Sequence, residues 1–336
     1  MLSLPQASES NIEDLTACTS KVQMRSQAKV AILLATYQGQ QYLAEQMNSF
    51  ASQTHTTWEV WASDDGSTDG TRAVLEAYQR LWSFARLLIF NGPQKGFAAN
   101  FMSLACHPEI SADYYAFADQ DDIWEKDKLA QALKWFESVP DHIPALYCSR
   151  TRLVDQHNND IGLSPLFTKK PSFANALVQS IGGANTMLFN NAARKLIQKA
   201  TNGKNTKEKI VSHDWWTYLV VSGAGGQVYF DPIPTVRYRQ HQKNIVGTSA
   251  TLKGKLKRIR MMWDGDFSIH NEINLHALKA IDGLLTPENR ERLNHLKEAR
   301  EARLVSRLLR LRKVGIYRQT LLGNLGLAVA ALFRKL

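Results

Sequence analysis

The chain has 336 residues, which exceeds the usual size of a single domain, so we expect one large domain with an appended segment. Its 44% hydrophobic and 21% charged residues exclude a disordered or fibrous chain. The net charge of +10 would suit a polyanionic partner. However, the basic surplus follows residue 252, and the residues before it are close to neutral. The main domain therefore lacks the charge of a nucleic-acid-binding surface.

Three cysteines, Cys18, Cys106 and Cys148, lack the spacing typical of a disulfide framework or a zinc site. The N-terminal residues contain no uninterrupted apolar run of the kind found in secretory signals. No stretch reaches the roughly 18 apolar residues of a membrane-spanning helix. We therefore expect a cytoplasmic protein with reduced thiols.

Residues 1–27 are polar and show no sustained hydrophobic period, which predicts a flexible leader. Short apolar runs then alternate with segments of helical spacing. In chain order, the predicted strands are residues 30–34, 58–62, 85–90, 114–118, 145–149, 184–189, 228–231 and 235–238. The predicted helices are residues 41–53, 71–81, 98–106, 126–137, 191–200 and 214–221. This alternation predicts an α/β fold with parallel strands, and the turn-rich residues 155–175 are expected to cross its top.

A first acidic pair, Asp64 and Asp65, follows the second predicted strand and precedes a Gly-Ser-Thr-Asp-Gly turn. Carboxylates at this position are able to accept hydrogen bonds from a nucleobase or a ribose. The alternative is a turn or helix cap, for which Asp and Ser are favoured anywhere in a chain.

A second acidic group, Asp119, Asp121 and Asp122, follows the predicted strand 114–118. Ligands of open α/β sheets bind beyond the carboxyl ends of the strands, where this group is expected to lie. Because three carboxylates in a small volume repel one another, a hard divalent cation bridging to substrate phosphates would suit them. A solvated acidic loop is the structural alternative.

The segment His213-Asp214-Trp215-Trp216 places a carboxylate beside an imidazole and two large aromatic rings at a predicted helix start. Asp214 is a candidate general base, and aromatic rings suit the apolar face of a sugar. The alternative is a helix-capping Asp beside buried tryptophans.

The segment from Arg237 to His241 contains two arginines and a histidine that are able to fold over a diphosphate. Arginine binds phosphate with two parallel hydrogen bonds, and neutral histidine is a common metal ligand. A structural histidine in a solvated basic loop is the alternative.

Four ordered motifs resemble those of family 2 glycosyltransferases of the GT-A fold. They are Ala35-Thr36-Tyr37-Gln38-Gly39, residues 63–71, Asp119-Gln120-Asp121-Asp122-Ile123-Trp124, and His213-Asp214-Trp215-Trp216. The resemblance covers residues 28–248 and implies a mixed, mostly parallel nucleotide-diphospho-sugar transferase sheet flanked by helices. It also implies a nucleotide-sugar donor, a saccharide or lipid-linked saccharide acceptor, and Mn²⁺ or Mg²⁺ as cofactor.

By this resemblance, the donor-nucleotide-binding residues are Ala35, Tyr37, Asp65, Lys95 and Asp119. The metal ligands are Asp121 and His241, and Asp214 is the base of an inverting displacement. Acceptor or diphosphate contacts are assigned to His213, Trp215, Trp216 and Arg239. The motif at 119–124 and the run Gln240–Asn244 with Gly247 are similar to bacterial rhamnosyltransferase-like members acting on surface polysaccharides. One departure is His213, which stands where the family usually has Glu.

The resemblance and the change of texture near residue 250 divide the chain into a leader at 1–27, a catalytic domain at 28–250 and a helical segment at 251–336. The last segment mixes Lys and Arg with Leu and Ile at helical spacing. Its apolar side is able to lie on an anionic membrane surface at the inner face of the cytoplasmic membrane. Alternatively, it packs on the catalytic domain and exposes a basic side to solvent.

Two other classes of protein compete with the transferase. A nucleotidyltransferase also uses carboxylates and a metal, but the chain lacks its Gly-rich, lysine-bearing triphosphate loop. A non-catalytic nucleic-acid-binding protein would explain the basic C-terminal segment, but the sequence shows no recognised reading motif. We therefore expect no nucleic-acid partner, and the family resemblance implies dTDP-rhamnose or a UDP-sugar as donor.

Overall fold

The computed structural model describes residues 27–202, 210–241 and 266–335. The predicted leader falls almost entirely outside these residues. The predicted domain boundary near residue 250, and the part of the resemblance that rests on Gln242–Asn244 and Gly247, also lie outside them.

The described chain alternates strands and helices up to residue 239 and is helical afterwards. Its strands are β1 Val30–Thr36, β2 Trp58–Asp64, β3 Leu87–Asn91, β4 Tyr114–Ala118, β5 Ile123–Trp124, β6 Ala145–Val154, β7 Asp160–Leu163, β8 Leu188–Asn190 and β9 Gln227–Arg239. Its helices are α1 Leu43–Ala51, α2 Thr71–Trp82, α3 Phe97–Ala105, α4 Lys128–Phe136, α5 Phe173–Ala176, α6 Asn191–Thr201, α7 His213–Gly223, α8 Asp266–Ala280, α9 Pro287–Glu301, α10 Leu304–Val314 and α11 Leu321–Leu332.

The strands form one mixed sheet in the order β3-β2-β1-β4-β8-β6-β9-β5. Strand β7 lies outside this order and pairs with β6. Strands β1 to β4 run parallel to one another, whereas β8 runs antiparallel to both β4 and β6. The carboxyl ends of β1, β2 and β4 therefore meet at one edge of the sheet.

The first six residues of β1 are all apolar, and both faces of the sheet are covered at this strand. Alternate residues enter two separate cores: Ala31 and Leu33 pack into one, and Val30, Ile32 and Leu34 pack into the other. Both faces of a parallel sheet are commonly buried under helices, which explains the continuous hydrophobic run.

Three expectations about local structure were wrong. Residues 228–231 and 235–238 belong to the single strand β9, whose register with β6 shifts opposite the intervening segment. Pro232 and Pro234 lie in that segment and have no N–H to donate, which explains the apparent gap. Residues 184–186 form a 3₁₀ turn before β8. The stretch expected to be turns contains β7 and α5.

The C-terminal helices are attached to the sheet domain. Leu278 and Ile281 share a hydrophobic core with α7, and Leu285 lies against Gly223. The Gln319 amide donates to Lys169 O and Asn175 Oδ1, at 3.0 and 3.3 Å. Within the described ranges, none of the helices has the length and apolar character needed to cross a membrane.

Candidate active site

Parallel pairing brings the two acidic motifs to the same edge of the sheet. Thr36 is in register with Asp64, and Leu34 is in register with Ala118. The residues that follow β2 and β4 therefore flank the loop that follows β1. This position agrees with the general location of ligands in open α/β sheets.

The two residues of the first acidic pair bind different parts of the protein. Asp64 accepts hydrogen bonds from Thr36 Oγ1 at 2.9 Å and from Ser67 Oγ at 2.6 Å. This is the turn chemistry that the sequence left open as an alternative. Asp65 instead accepts from the backbone N–H groups of Gln94 and Gly96, at 2.6 and 3.1 Å. Asp65 therefore fixes the loop after β3.

That loop carries Lys95, whose side chain is exposed. The loop itself packs closely against Asp65, because a Cβ added at Gly92 would lie 2.6 Å from Asp65 Oδ1. A nucleobase that binds the Asp65 carboxylate must therefore share or replace the backbone donors of this loop.

Gln120 joins the loop after β1 to the loop after β4, a role that the sequence analysis missed. Its side-chain oxygen accepts from Tyr37 N and its amide donates to Tyr37 O, both at 2.8 Å. Gly39 permits this approach, because a Cβ there would lie 2.1 Å from the Gln120 oxygen. The Tyr37 side chain remains 58% exposed beside the buried Ala35. The position of Gln120 between Asp119 and Asp121 was the available signal.

Three carboxylates come together where β4 ends and α7 begins. Burial, together with the negative charges of Asp121 and Asp214, raises the pKa of Asp119 to about 8. His241 Nε2 lies 2.8 Å from Asp121 Oδ2, and Ser180 Oγ donates to Asp214 Oδ2 at 3.0 Å. The site therefore concentrates negative charge that a bound cation would stabilise.

Asp122 lies beneath this cluster and takes part in the core. It is fully buried and accepts hydrogen bonds from Asn185 Nδ2 and from the Arg239 N–H. Burial lowers the pKa of the neighbouring Lys128 to about 7, and its ammonium lies 3.7 Å from the centre of the Trp124 ring. Asp122 therefore supports the loop from below and leaves Asp119 and Asp121 nearer to solvent.

Arg239 supports the same loop and does not face the site openly. Its side chain is 1% exposed and donates to Asp121 O at 3.0 Å, to Gln156 O at 2.9 Å and to Glu45 Oε2 at 2.7 Å. These contacts favour a positioning role over the diphosphate contact expected from the sequence. The neighbouring His241 ring stacks on Tyr42 with 5.2 Å between ring centres.

The aromatic residues around Asp214 are buried. Trp215 Nε1 donates to Ala176 O at 2.6 Å, and Trp216 Nε1 donates to Thr201 Oγ1 at 3.2 Å. His213 stacks on Phe101 at 3.8 Å between ring centres, and neither of its ring nitrogens has a hydrogen-bond partner among the described residues. This placement favours packing over the acceptor contacts expected for His213, Trp215 and Trp216.

The buried His213 makes the stability of the protein depend on pH. Burial lowers the pKa of His213 to about 4, although the Asp214 carboxylate acts in the opposite direction. The unfolded chain, with a histidine pKa near 6.5, therefore binds more protons than the folded chain between these values. We expect this residue to lower the free energy of unfolding by about 1.4 kcal/mol per unit as the pH falls from about 6 to about 4.5.

Denaturant unfolding at stepped pH measures this effect. The variant His213→Phe keeps an aromatic ring against Phe101 and removes the titrating group, so its unfolding free energy should depend less on pH by that amount. An unchanged pH slope in the variant would contradict the assignment.

Within the part of the chain that the structure describes, no three His, Cys, Asp or Glu side chains form a ready-made metal-binding group. A cation held by Asp121 and His241 would need further oxygen ligands from water or substrate. Mg²⁺ and similar ions are commonly bound in this way, through one or two carboxylates and substrate phosphates.

Comparison with known proteins identifies the family. Residues 31–196 match the family model described as Glycosyl transferase family 2. The dTDP-rhamnosyl transferase RfbG of Shigella flexneri is 29% identical over 238 residues, which cover 68% of this chain and 78% of that protein. An uncharacterized glycosyltransferase of Nostoc sp. (strain PCC 7120 / SAG 25.82 / UTEX 2576) is 32% identical over 111 residues, which cover 33% of this chain and 33% of that protein.

Solved structures share the fold. S. aureus TarS 1-349 in complex with UDP-GlcNAc has a TM-score of 0.51 at 14% identity, covering 86% of this chain and 93% of that one. The mannosyltransferase PcManGT of Pyrobaculum calidifontis, in complex with GDP-Man and Mn2+, has a TM-score of 0.50 at 15% identity, covering 97% and 98%. The predicted GT-A fold class is thus confirmed. Residues 31–196 form a glycosyl transferase family 2 domain, and the chain is a glycosyltransferase.

Proposed function

We propose that the protein transfers a sugar from a nucleotide-sugar donor, dTDP-rhamnose or a UDP-sugar, to a saccharide acceptor in the synthesis of a bacterial surface polysaccharide. The observation that carries the proposal is the convergence of Asp119, Asp121 and Asp214 at the carboxyl edge of the sheet. The relative named dTDP-rhamnosyl transferase supports the donor class.

A divalent cation, Mn²⁺ or Mg²⁺, fits the acidic edge of the site. Burial first, and then the charges of Asp121 and Asp214, disfavour the ionised form of Asp119, and a bound cation would offset both effects. Asp121 and His241 offer an oxygen and a nitrogen ligand 2.8 Å apart. When bound, the metal would neutralise the charge of the donor diphosphate as it leaves. We assign Asp121 and His241 as the residues that hold it, and Asp119 as a ribose and diphosphate contact.

The donor nucleotide would occupy the space between the loops after β1, β2 and β3. The exposed Tyr37 ring is available to a nucleobase, and Gln120 fixes the backbone from which it projects. Ala35 forms the buried floor beside it. Asp65 and Lys95 would bind the nucleotide after the loop at residues 92–96 adjusts to make room.

Asp214 is the proposed general base. It is partly exposed and its Oδ2 is oriented by the Ser180 hydroxyl. It would remove the proton from the acceptor hydroxyl while that oxygen forms a bond to the anomeric carbon and the bond to the diphosphate breaks. Attack from the face opposite the leaving diphosphate inverts the configuration at that carbon.

Product analysis of purified protein with candidate donors tests this proposal. A sugar transferase releases a nucleoside diphosphate, and we expect that release to require the divalent cation. In a parallel assay with nucleoside triphosphates and sugar 1-phosphates, release of inorganic pyrophosphate, without release of nucleoside diphosphate from nucleotide-sugars, would identify a nucleotidyltransferase and overturn the proposal. The acceptor class is defined separately by the structure of the glycosylated product.

A further inference from the structure

We propose that helices α10 and α11 form a docking surface for an anionic lipid bilayer. The inference goes beyond the transfer reaction, because it concerns a surface that contains none of the proposed donor-binding residues. It also identifies two particular helices, whereas the sequence indicated only a basic segment of residues 251–336.

Helix α10 buries an arginine between apolar residues and leaves a second apolar face exposed. The side facing the protein contains Arg307, Leu311 and Val314. The opposite side exposes four apolar residues, Leu304, Val305, Leu308 and Leu309. At 100° per residue these four positions fall on one face of the helix. A helix that packed all of its apolar residues on the domain would leave no such face in solvent.

Arg307 lies on the inward side of α10 because its guanidinium has partners there. Its guanidinium donates to Ala331 O in α11 at 2.9 Å and to Ala302 O at 2.8 Å. These bonds satisfy carbonyl groups near the ends of two helices and join α10 to α11. With Arg307 inward, Leu304, Leu308 and Leu309 remain at the surface.

Helix α11 exposes a second apolar stripe. It buries Leu327, Ala330 and Ala331. Its exposed apolar residues are Leu321, Leu322, Leu325, Val329 and Leu332. Their spacing places them along one side of the helix. With 12 residues the helix is about 18 Å long, too short to cross a hydrocarbon core of about 30 Å. It suits an orientation in the plane of a membrane surface.

The charge of this segment selects the partner. The sequence from Ala302 to Leu336 contains no Asp or Glu. Its basic residues are Arg303, Arg307, Arg310, Arg312, Lys313, Arg318, Arg334 and Lys335. The exposed Arg312 lies on the apolar face of α10. Apolar faces with neighbouring cations match the acyl boundary and the anionic headgroups of a bilayer.

Two other occupants fit less well. A second copy would bring two basic segments together, and like charges across an interface are unfavourable. A nucleic acid would neutralise the cations, but its polar and hydrated interface would leave the exposed leucines without an apolar partner.

The docking surface is connected to the candidate base. The connector between α10 and α11 is fixed by Gln319, whose N–H donates to Gln179 Oε1 at 2.8 Å. Ser180, which follows Gln179 in the chain, donates a hydrogen bond to Asp214 at 3.0 Å. The surface is therefore attached to the side of the site where the acceptor hydroxyl would meet the base, which suits an acceptor carried on a lipid.

Vesicle co-sedimentation of the full chain tests the proposal. We expect binding to vesicles of equal parts phosphatidylglycerol and phosphatidylcholine, and much weaker binding to phosphatidylcholine alone. The triple variant Val305→Gln, Leu309→Gln, Leu322→Gln should bind the anionic vesicles at least about tenfold more weakly, since it removes apolar area without changing charge.

A matched control uses exposed apolar residues far from this segment. Leu81 and Phe84 are 75% and 71% exposed, similar to Val305 at 71% and Leu322 at 74%. The variant Leu81→Gln, Phe84→Gln should bind vesicles as the wild type does. Both variants should keep the wild-type unfolding temperature, which shows that they fold.

Three results would overturn the proposal. The first is equal vesicle binding by the triple variant and the wild type, and the second is equal binding to neutral and anionic vesicles. The third is a dimer, seen by light scattering, that the triple variant dissociates, because the surface would then bind a second copy. Vesicle binding is measured without a donor, so its failure leaves the proposed transfer reaction untouched.

Discussion

We expect Asp121→Ala to lower the rate of metal-dependent sugar transfer about a thousandfold, comparable to the loss of one electrostatic stabiliser in other active sites. The substitution removes the carboxylate that lies 2.8 Å from His241 and faces the Asp119 side of the site. The fold should persist, because the variant removes a charge that disfavours ionisation of the buried Asp119. Initial rates at saturating Mn²⁺, with the unfolding temperature measured in parallel, check both parts.

The control for Asp121→Ala is Asp160→Asn. Asp160 is a half-exposed aspartate on β7 that pairs with Arg152. Its substitution should leave transfer nearly unchanged. Wild-type turnover by Asp121→Ala would contradict the assignment of Asp121 as a metal ligand.

The second large effect is expected for Asp214→Asn. A general base in this position contributes about 10² to 10⁴ in rate, so kcat should fall by a factor in this range. The amide has nearly the same shape as the carboxylate and keeps an oxygen that is able to accept from Ser180. Donor and metal affinity should therefore change little. Single-turnover rates and donor titrations separate the two quantities.

Ser180→Ala distinguishes the base from its supporting contact. It removes the 3.0 Å hydrogen bond to Asp214 but leaves the carboxylate, so we expect a loss of only about tenfold. If Asp214→Asn lost donor binding and turnover to the same extent, Asp214 would have a structural role instead.

The strand ends and the acidic motifs were predictable from sequence because they depend on local patterns. The continuous apolar runs at β1 and β4 indicated buried parallel strands, and parallel strands end at a common edge. The carboxyl-edge position of Asp65 and Asp119 followed from that rule. The occurrence of the four motifs in this order indicated the family, which the matched family model confirms.

Side-chain direction could not be predicted in the same way. Adjacency in sequence suggested that His213, Trp215 and Trp216 share the surroundings of Asp214. In α7, however, successive residues are rotated by about 100°, and helix packing on both sides buries all three neighbours. Arg239 was likewise assigned to the diphosphate from its residue type alone. Its buried hydrogen bond to Asp121 O depends on the register of β9 with β5, which the sequence does not reveal.

The orientation of the C-terminal helices was also open. The Leu and Arg spacing of α10 is compatible with burying either side, and the side that faces the protein is the one where Leu311 and Val314 enter the core and Arg307 bonds Ala331 O. That hydrogen bond joins two residues that are 24 positions apart in the sequence and lie on different helices. Local periodicity therefore identified the helix but left its membrane or packing role undecided.

The central claim is that a nucleotide-sugar and a divalent cation bind together at the acidic edge of the sheet. Thermal unfolding of the wild type with UDP-, dTDP- and GDP-sugars, each with and without Mn²⁺, tests it most directly. The account predicts that one nucleotide class stabilises the protein, that it does so only with the metal, and that Asp121→Ala abolishes the effect. Equal stabilisation with and without Mn²⁺, or no stabilisation by any donor, would contradict it.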